Sequence, residues 1–288
     1  MAEAAYRERW YTSQDGLRLF FRDYPGPDGE NASMRTAVLC LPGVTRNSKD
    51  FGQLAKRLSR RYRVLCPDFR GRGLSAYDPN PDNYTPATYV NDIRHLLAAS
   101  GVHHVHVIGT SLGGFVAMVM AVAMPTTLAS VVLNDIGPEI GQTSLGGIIE
   151  YMLDDTPLPD WDAATEHVRR AFLPNLPNGS DEDWLQIARN TYKENADGKF
   201  IHAFDIAIVK QFKEALGHKQ DLWPLFRALR PVRVLTLRGA LSGILSAETL
   251  DRMSAVMPAM AHFTVEDRGH PPLLSEPSVL EVIDAHLF

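Results

Sequence analysis

One serine limits what this chain can fold into. Gly109-Thr110-Ser111-Leu112-Gly113 lies between the apolar run Val105-His106-Val107-Ile108 and a helical stretch from Leu112 to Met124. A serine on a tight strand-to-helix turn is held in a strained backbone with its hydroxyl exposed. Small residues at 109 and 113 let strand and helix approach closely. The pentad therefore demands a strand, a sharp turn and a helix in immediate succession.

The rest of the chain supplies the setting. Arg9–Thr12 and Leu17–Tyr24 flank the turn Ser13-Gln14-Asp15-Gly16 and read as a hairpin. Strand-like runs follow at Ala37–Leu41, Arg63–Cys66, Val105–Gly109, Ser130–Asp135, Val232–Arg238 and His262–Glu266. Helical stretches lie near Asp50–Ser59, Pro86–Ser100, Leu112–Met124, Ala247–Val256 and Ser278–His286. Alternation of this kind predicts an α/β fold, a mainly parallel sheet with helices on both faces. The rhythm breaks between about Gly137 and Leu229, where no strand is evident. There Trp161, Thr165, Val168 and Phe172 share a helical face, as do Phe200, Phe204, Ile208 and Phe212. We read residues 1–136 and 230–288 as the core, and 137–229 as a helical insertion over the strand ends. Trp161, Trp184 and Phe204 are its candidates for an apolar substrate lining.

A serine hydroxyl needs a base to take its proton. His270 follows the last strand in Asp267-Arg268-Gly269-His270-Pro271 and is the candidate. Negative charge developing on a substrate oxygen needs two backbone N–H donors. Leu112, directly after the serine, supplies one; Val44, in the loop Leu41-Pro42-Gly43-Val44, supplies the other. Pro42 has no N–H to give. Asp68 and the glycines of Asp68-Phe69-Arg70-Gly71-Arg72-Gly73 suit a structural turn at the sheet edge.

Leu41-Pro42-Gly43, Asp68…Gly71…Gly73-Leu74-Ser75, Gly109-Thr110-Ser111-Leu112-Gly113-Gly114 and Gly269-His270 together resemble the α/β-hydrolase fold superfamily. The resemblance covers the core; over 137–229 it is one of position and helicity with the superfamily's cap. It implies an eight-stranded, mostly parallel sheet and a Ser–acid–His triad. Two departures stand out. Pro42 replaces the His most often found before the oxyanion glycine, and Gly243 stands where similar members usually have Asp. An imidazole base needs a carboxylate beside it to fix its tautomer. Asp135 ends the strand that should neighbour the one leading to Ser111, and parallel strands end on the same edge. Asp135 is therefore the expected acid. Two other readings stand beside it: Asp135 as a turn-builder in Asn134-Asp135-Ile136-Gly137-Pro138, and Gly243 as the trace of a lost acid.

The implied activity is hydrolysis of an ester or lactone of a small, largely apolar acid through an acyl-enzyme. The alternatives are hydrolysis of a carbon–carbon bond in a vinylogous diketone, with Arg46, Asn47 or Arg189 as a polar clamp, and a weakly active or non-catalytic binder of the same fold. Composition excludes other classes. With a net charge of −5 and no lysine–arginine block, neither nucleic acid nor an anionic membrane is an expected partner; a small molecule is. No apolar run is long enough to span a bilayer, and Met1–Arg7 lacks a secretory signal, so a cytoplasmic protein is expected and the Asn31 sequon carries no weight. Cys40 and Cys66, each ending an apolar run, read as reduced core thiols. His103, His104 and His106 straddle a turn and a strand with no carboxylate cluster near, so no metal is expected. No phosphate-binding loop calls for a nucleotide cofactor. Oligomeric state is not legible.

Overall fold

Eight strands join into one sheet, described here from a computed structural model covering residues 5–27, 36–141, 145–217 and 221–287. The first four residues and the Asn31 sequon lie outside the described residues. The strands are β1 (Arg7–Thr12), β2 (Arg18–Tyr24), β3 (Ala37–Leu41), β4 (Val64–Pro67), β5 (Val105–Thr110) and β6 (Leu128–Asn134), then β9 (Arg233–Gly239) and β10 (Ala261–Val265). Their order is β1-β2-β4-β3-β5-β6-β9-β10. The β1–β2 hairpin and the β2–β4 pair are antiparallel; the other pairs are parallel. The expected eight-stranded, mostly parallel α/β sheet is the fold observed.

Both faces of the sheet are covered, as a parallel sheet requires. Ala37, Leu39, Leu41, Val105, Val107, Val131 and Leu133 point into the larger cluster. It is closed by α2 (Pro86–Ser100), α3 (Leu112–Ala123), α8 (Trp223–Arg227) and α9 (Ala247–Val256). Val38, Cys40, Val64, Cys66, Ile108 and Val132 point the other way, against α1 (Gly52–Leu58) and α10 (Pro277–Leu287). The alternation follows from the two-residue period of a strand. It leaves both cysteines unpaired and buried.

After β3 the chain adds β4 on one side, then crosses to place β5 on the other. The loops after β3 and β5 therefore diverge at the carboxyl edge of the sheet. Such a reversal of strand order opens the crevice where ligands sit in open α/β sheets.

Between β6 and β9 lie α4 (Leu145–Leu153), α5 (Trp161–Phe172), α6 (Asp181–Thr191) and α7 (Ala207–Gly217), then α8. Two departures from expectation occur here. Tyr192–Glu194 (β7) and Phe200–His202 (β8) pair as a small antiparallel ribbon. Three-residue strands are too short to show an alternating pattern. Phe200, Phe204, Ile208 and Phe212 also do not share one helix: Phe200 lies in β8, Phe204 forms an isolated bridge with Arg72, and only Ile208 and Phe212 lie in α7. Their four-residue spacing runs across a strand, a loop and a helix.

Candidate active site

Ser111 sits at the N-cap of α3 with φ at +50°. That left-handed region costs a non-glycine residue on the order of 1–3 kcal/mol and persists only where the surroundings enforce it. Here they do. Ser111 N–H donates to Asn134 O at 3.0 Å, and Ser111 O accepts from the N–H groups of Gly114 and Phe115. A Cβ on Gly109 would come within 2.5 Å of the Gly113 backbone, and one on Gly113 within 2.1 Å of Leu41 O. Only glycine allows strand, turn and helix to close on one another this tightly.

His270 reaches this turn from the loop after β10. Its Nε2 lies 3.0 Å from Ser111 Oγ, and its Nδ1 lies 2.7 Å from Asp135 Oδ2. Asp135 is fully buried, directly after β6, also with positive φ (+56°). Its other contacts face the loop after β9: Gly239 N–H donates to Oδ1 at 2.9 Å, and the Ser242 hydroxyl donates to Oδ2 at 2.5 Å. Three donors thus converge on this buried carboxylate and fix its orientation. The structure thus brings together Ser111, His270 and Asp135, and puts Ser242 rather than a second carboxylate beside Gly243. Ser242 also accepts from the N–H groups of Ile244 and Leu245, which fixes its hydroxyl toward Asp135.

The loop after β3 passes beside Ser111. A Cβ on Gly43 would lie 3.9 Å from that of Ser111. Gly43 O accepts from Arg46 N–H at 3.1 Å, and Val44 O accepts from Arg72 Nε at 2.8 Å. In a trans peptide the N–H points opposite the carbonyl, so the Gly43–Val44 unit turns its N–H away from the Arg46 turn. Leu112 N–H is the first of α3, one of the helix donors without an intrahelical acceptor. Asp68, read from the sequence as structural, is buried and accepts from Ser48 and Leu74 N–H.

Arg46 and Asn47 are occupied with holding the protein together. Arg46 makes a two-pronged pair with Asp50, at 2.7 and 2.6 Å, and donates its third arm to Thr191 Oγ1. Asn47 is buried and donates to Asn190 O at 2.7 Å. These bonds join the turn behind the β3 loop to the end of α6.

A cavity of about 810 Å³ borders His270 and Gly43. Its walls are the Arg46–Leu54 turn, the 271–275 loop, and Phe172, Leu176 and Ile187 from the inserted segment. The three aromatics expected to line a pocket are not in its wall. Trp161 packs on Phe200 at 4.3 Å between centroids, and Trp184, 2% exposed, lies in the same small apolar cluster with its Nε1 on Gly179 O. Phe204 joins the main core beside His202. The two tryptophans close the segment on itself, and Phe204 ties it to the core.

Two residues of the site, Asn175 and Ser242, were not anticipated from the sequence. Asn175, after α5, accepts Gly269 N–H on its carbonyl (2.7 Å) and His270 N–H on its side chain (3.0 Å). It lies between prolines in a loop and resembles any turn residue. Ser242 could have been suspected, being one position from the site where an acid was looked for. Among the described residues no group of three or more His, Cys, Asp or Glu could hold a metal, and no helix is long and apolar enough to cross a membrane. His106 instead donates to or accepts from Ser130 Oγ at 2.8 Å.

Known proteins share this architecture. The profile of the Alpha/beta hydrolase family matches residues 38–281. The chain is 28% identical over 262 residues to 3-hydroxybutyrate-oligomer hydrolase of Cupriavidus necator, covering 88% of each. It is 28% identical over 254 residues to 2-(acetamidomethylene)succinate hydrolase of Mesorhizobium japonicum, covering 86% of this chain and 88% of the relative. A crystal structure of an alpha/beta hydrolase from Novosphingobium aromaticivorans superposes with a TM-score of 0.92 at 38% identity, covering 99% of both chains.

Proposed function

The chain belongs to the alpha/beta hydrolase family, and from that premise we propose that it is a serine hydrolase cleaving an ester of a small acid through an acyl-enzyme. Ser111 Oγ attacks the carbonyl while His270 Nε2 takes its proton. Asp135 holds the imidazole by Nδ1 and stabilises the imidazolium. The N–H groups of Val44 and Leu112 receive the oxyanion. His270 then protonates the leaving alcohol and activates the water that releases the acid.

The observation that carries this reading is the unbroken chain from Ser111 Oγ through both imidazole nitrogens to the buried Asp135. The hydrolase names of the relatives agree with it. Of the three residues offered as a polar clamp for a carbon–carbon bond hydrolase, Arg46 and Asn47 are committed to internal bonds, which leaves Arg189 alone. A non-catalytic binder was suggested by the absence of an acid at Gly243; with Asp135 on His270 that motive is gone. The test is a fluorophosphonate reagent followed by peptide mapping, beside an ester and lactone panel. Labelling at Ser111 and turnover abolished in Ser111→Ala are expected. Turnover with no labelling at Ser111 defeats the proposal.

A further inference from the structure

The cavity beside His270 carries more positive charge than its own carboxylates use. Arg22, Lys49 and Arg189 all line it, and none of them has a carboxylate partner among the described residues. Lys49 donates to the carbonyl of Arg189 at 3.0 Å, which draws two of the cations to the end of α6 and leaves the ammonium with two further protons to donate. Arg22 lies over the ring of Tyr6, and its Nε is buried with no hydrogen-bond partner. Arg22 and Lys49 are close enough to oppose each other: burial, then the Arg22 charge, holds the Lys49 ammonium below its ordinary range. A pair of like charges facing one space is unfavourable until an anion enters it.

Two of the three carboxylates lining the cavity are bound within the protein. Asp50 is bound by Arg46 on both oxygens, and Asp183 folds back onto Ser180 in the capping box of α6. Asp68, whose charge is felt by both Arg22 and Lys49, gives its oxygens to the N–H groups of Ser48 and Leu74. Glu182 is exposed at the start of α6, and Arg189 is seven residues on, about 10 Å along the helix. The two ends of the cavity wall therefore differ in sign.

We infer that this cavity is a carboxylate subsite, so that the ester cleaved at Ser111 is an anionic one, its carboxylate seated among Lys49, Arg22 and Arg189. The inference rests on the serine hydrolase reading for what is cleaved, though not for what is bound. It replaces the expectation of a largely apolar acid with a substrate that is a half-ester or an ester of a dicarboxylic or similarly charged acid. Clefts lined by one sign of charge also gather ligands of the other, with an effect that salt screens.

The experiment is isothermal titration calorimetry of the whole protein with glutarate and with its neutral isostere glutaramide. Glutarate is expected to bind at least about tenfold more tightly, and to weaken as sodium chloride rises to about 500 mM. Lys49→Gln and Arg189→Gln, at partly or fully exposed positions, should each weaken glutarate about fivefold or more. Equal affinity for the two probes, no heat from glutarate, or variants that bind glutarate as well as the parent chain would each overturn the inference. The reading of Ser111 fails separately: a chain that binds glutarate selectively yet resists fluorophosphonate labelling keeps the subsite and loses the serine chemistry.

Discussion

The sheet rim and the inserted segment meet at His270 but are built on different terms. At the rim, Ser111 and Asp135 are held by backbone bonds to neighbouring strands, and both stand in left-handed conformations that the sheet enforces. The inserted segment reaches the site through side chains and loops: Asn175 on His270, Asn190 and Thr191 on the turn behind the β3 loop. It also has an apolar cluster of its own around Trp184. The difference teaches where chemistry and where selection should reside. Groups that must hold position to a fraction of an ångström sit on the sheet, and the groups proposed to decide what enters are shared, Arg22 and Lys49 on the core and Arg189 on the insertion.

The sharpest way to break this comparison is at the rim. Ser111→Ala should lower kcat about 10⁴-fold or more against any ester the parent chain turns over. Next, Asp135→Asn should lower it by roughly 10³–10⁴, since an asparagine leaves the imidazole in the wrong tautomer. Gly243→Asp should restore little, because Ser242 already occupies the space beside Asp135. A Gly243→Asp chain with steeply raised activity would hand the acid's place to the β9 loop.

Changes in the insertion should act differently. Trp184→Ala empties a 2%-exposed position and should cost about 3–5 kcal/mol of stability, visible as a lower Tm, with little effect on KM for the surviving protein. Asn175→Ala removes the acceptor of His270 N–H while the backbone bond to Gly269 remains. Its kcat should fall about tenfold with a smaller change in KM, since its side chain holds the His270 backbone although it also borders the cavity. A KM effect larger than the kcat effect would make Asn175 part of the binding surface.

The smallest effect concerns pH and stability of the core. Burial, with help from His104 and Arg233, lowers His106 to about 4, against 6.5 for the free side chain. Between these values the unfolded chain binds the proton and the folded one does not. Stability is therefore full above about 6.5 and falls as pH drops toward 4. His106→Asn should flatten that part of a Tm-against-pH curve; an unaltered slope would assign it to other groups.

How much of this could be read in the chain follows the same division. Strand–turn–helix at Ser111 was legible because the backbone itself demands glycine at 109 and 113. Asp135 was legible through register, since parallel neighbours end at one edge. The insertion was legible as helical and little more. Trp161, Trp184 and Phe204 looked like a pocket lining, yet aromatic spacing is the same whether a face meets ligand, its own segment or the main core. Arg22 gave no signal: it sits in the second strand, far along the chain from Ser111, and only the sheet and the Lys49 turn carry it to the cavity wall. Charges that meet through tertiary folding leave no local pattern to read.

The place of Asp135 has a further consequence. Val44, Ser111, Leu112 and Asp135 all come before the insertion, and His270 alone comes after it, 135 positions beyond Asp135. The machinery we propose is thus a nearly finished half awaiting one residue. Because lengthening a closed segment adds only slowly to its entropy cost, the length of what lies between them is only weakly constrained. A descendant could take another insertion, and with it another substrate, provided the new segment still offers an acceptor to the His270 backbone where Asn175 now does.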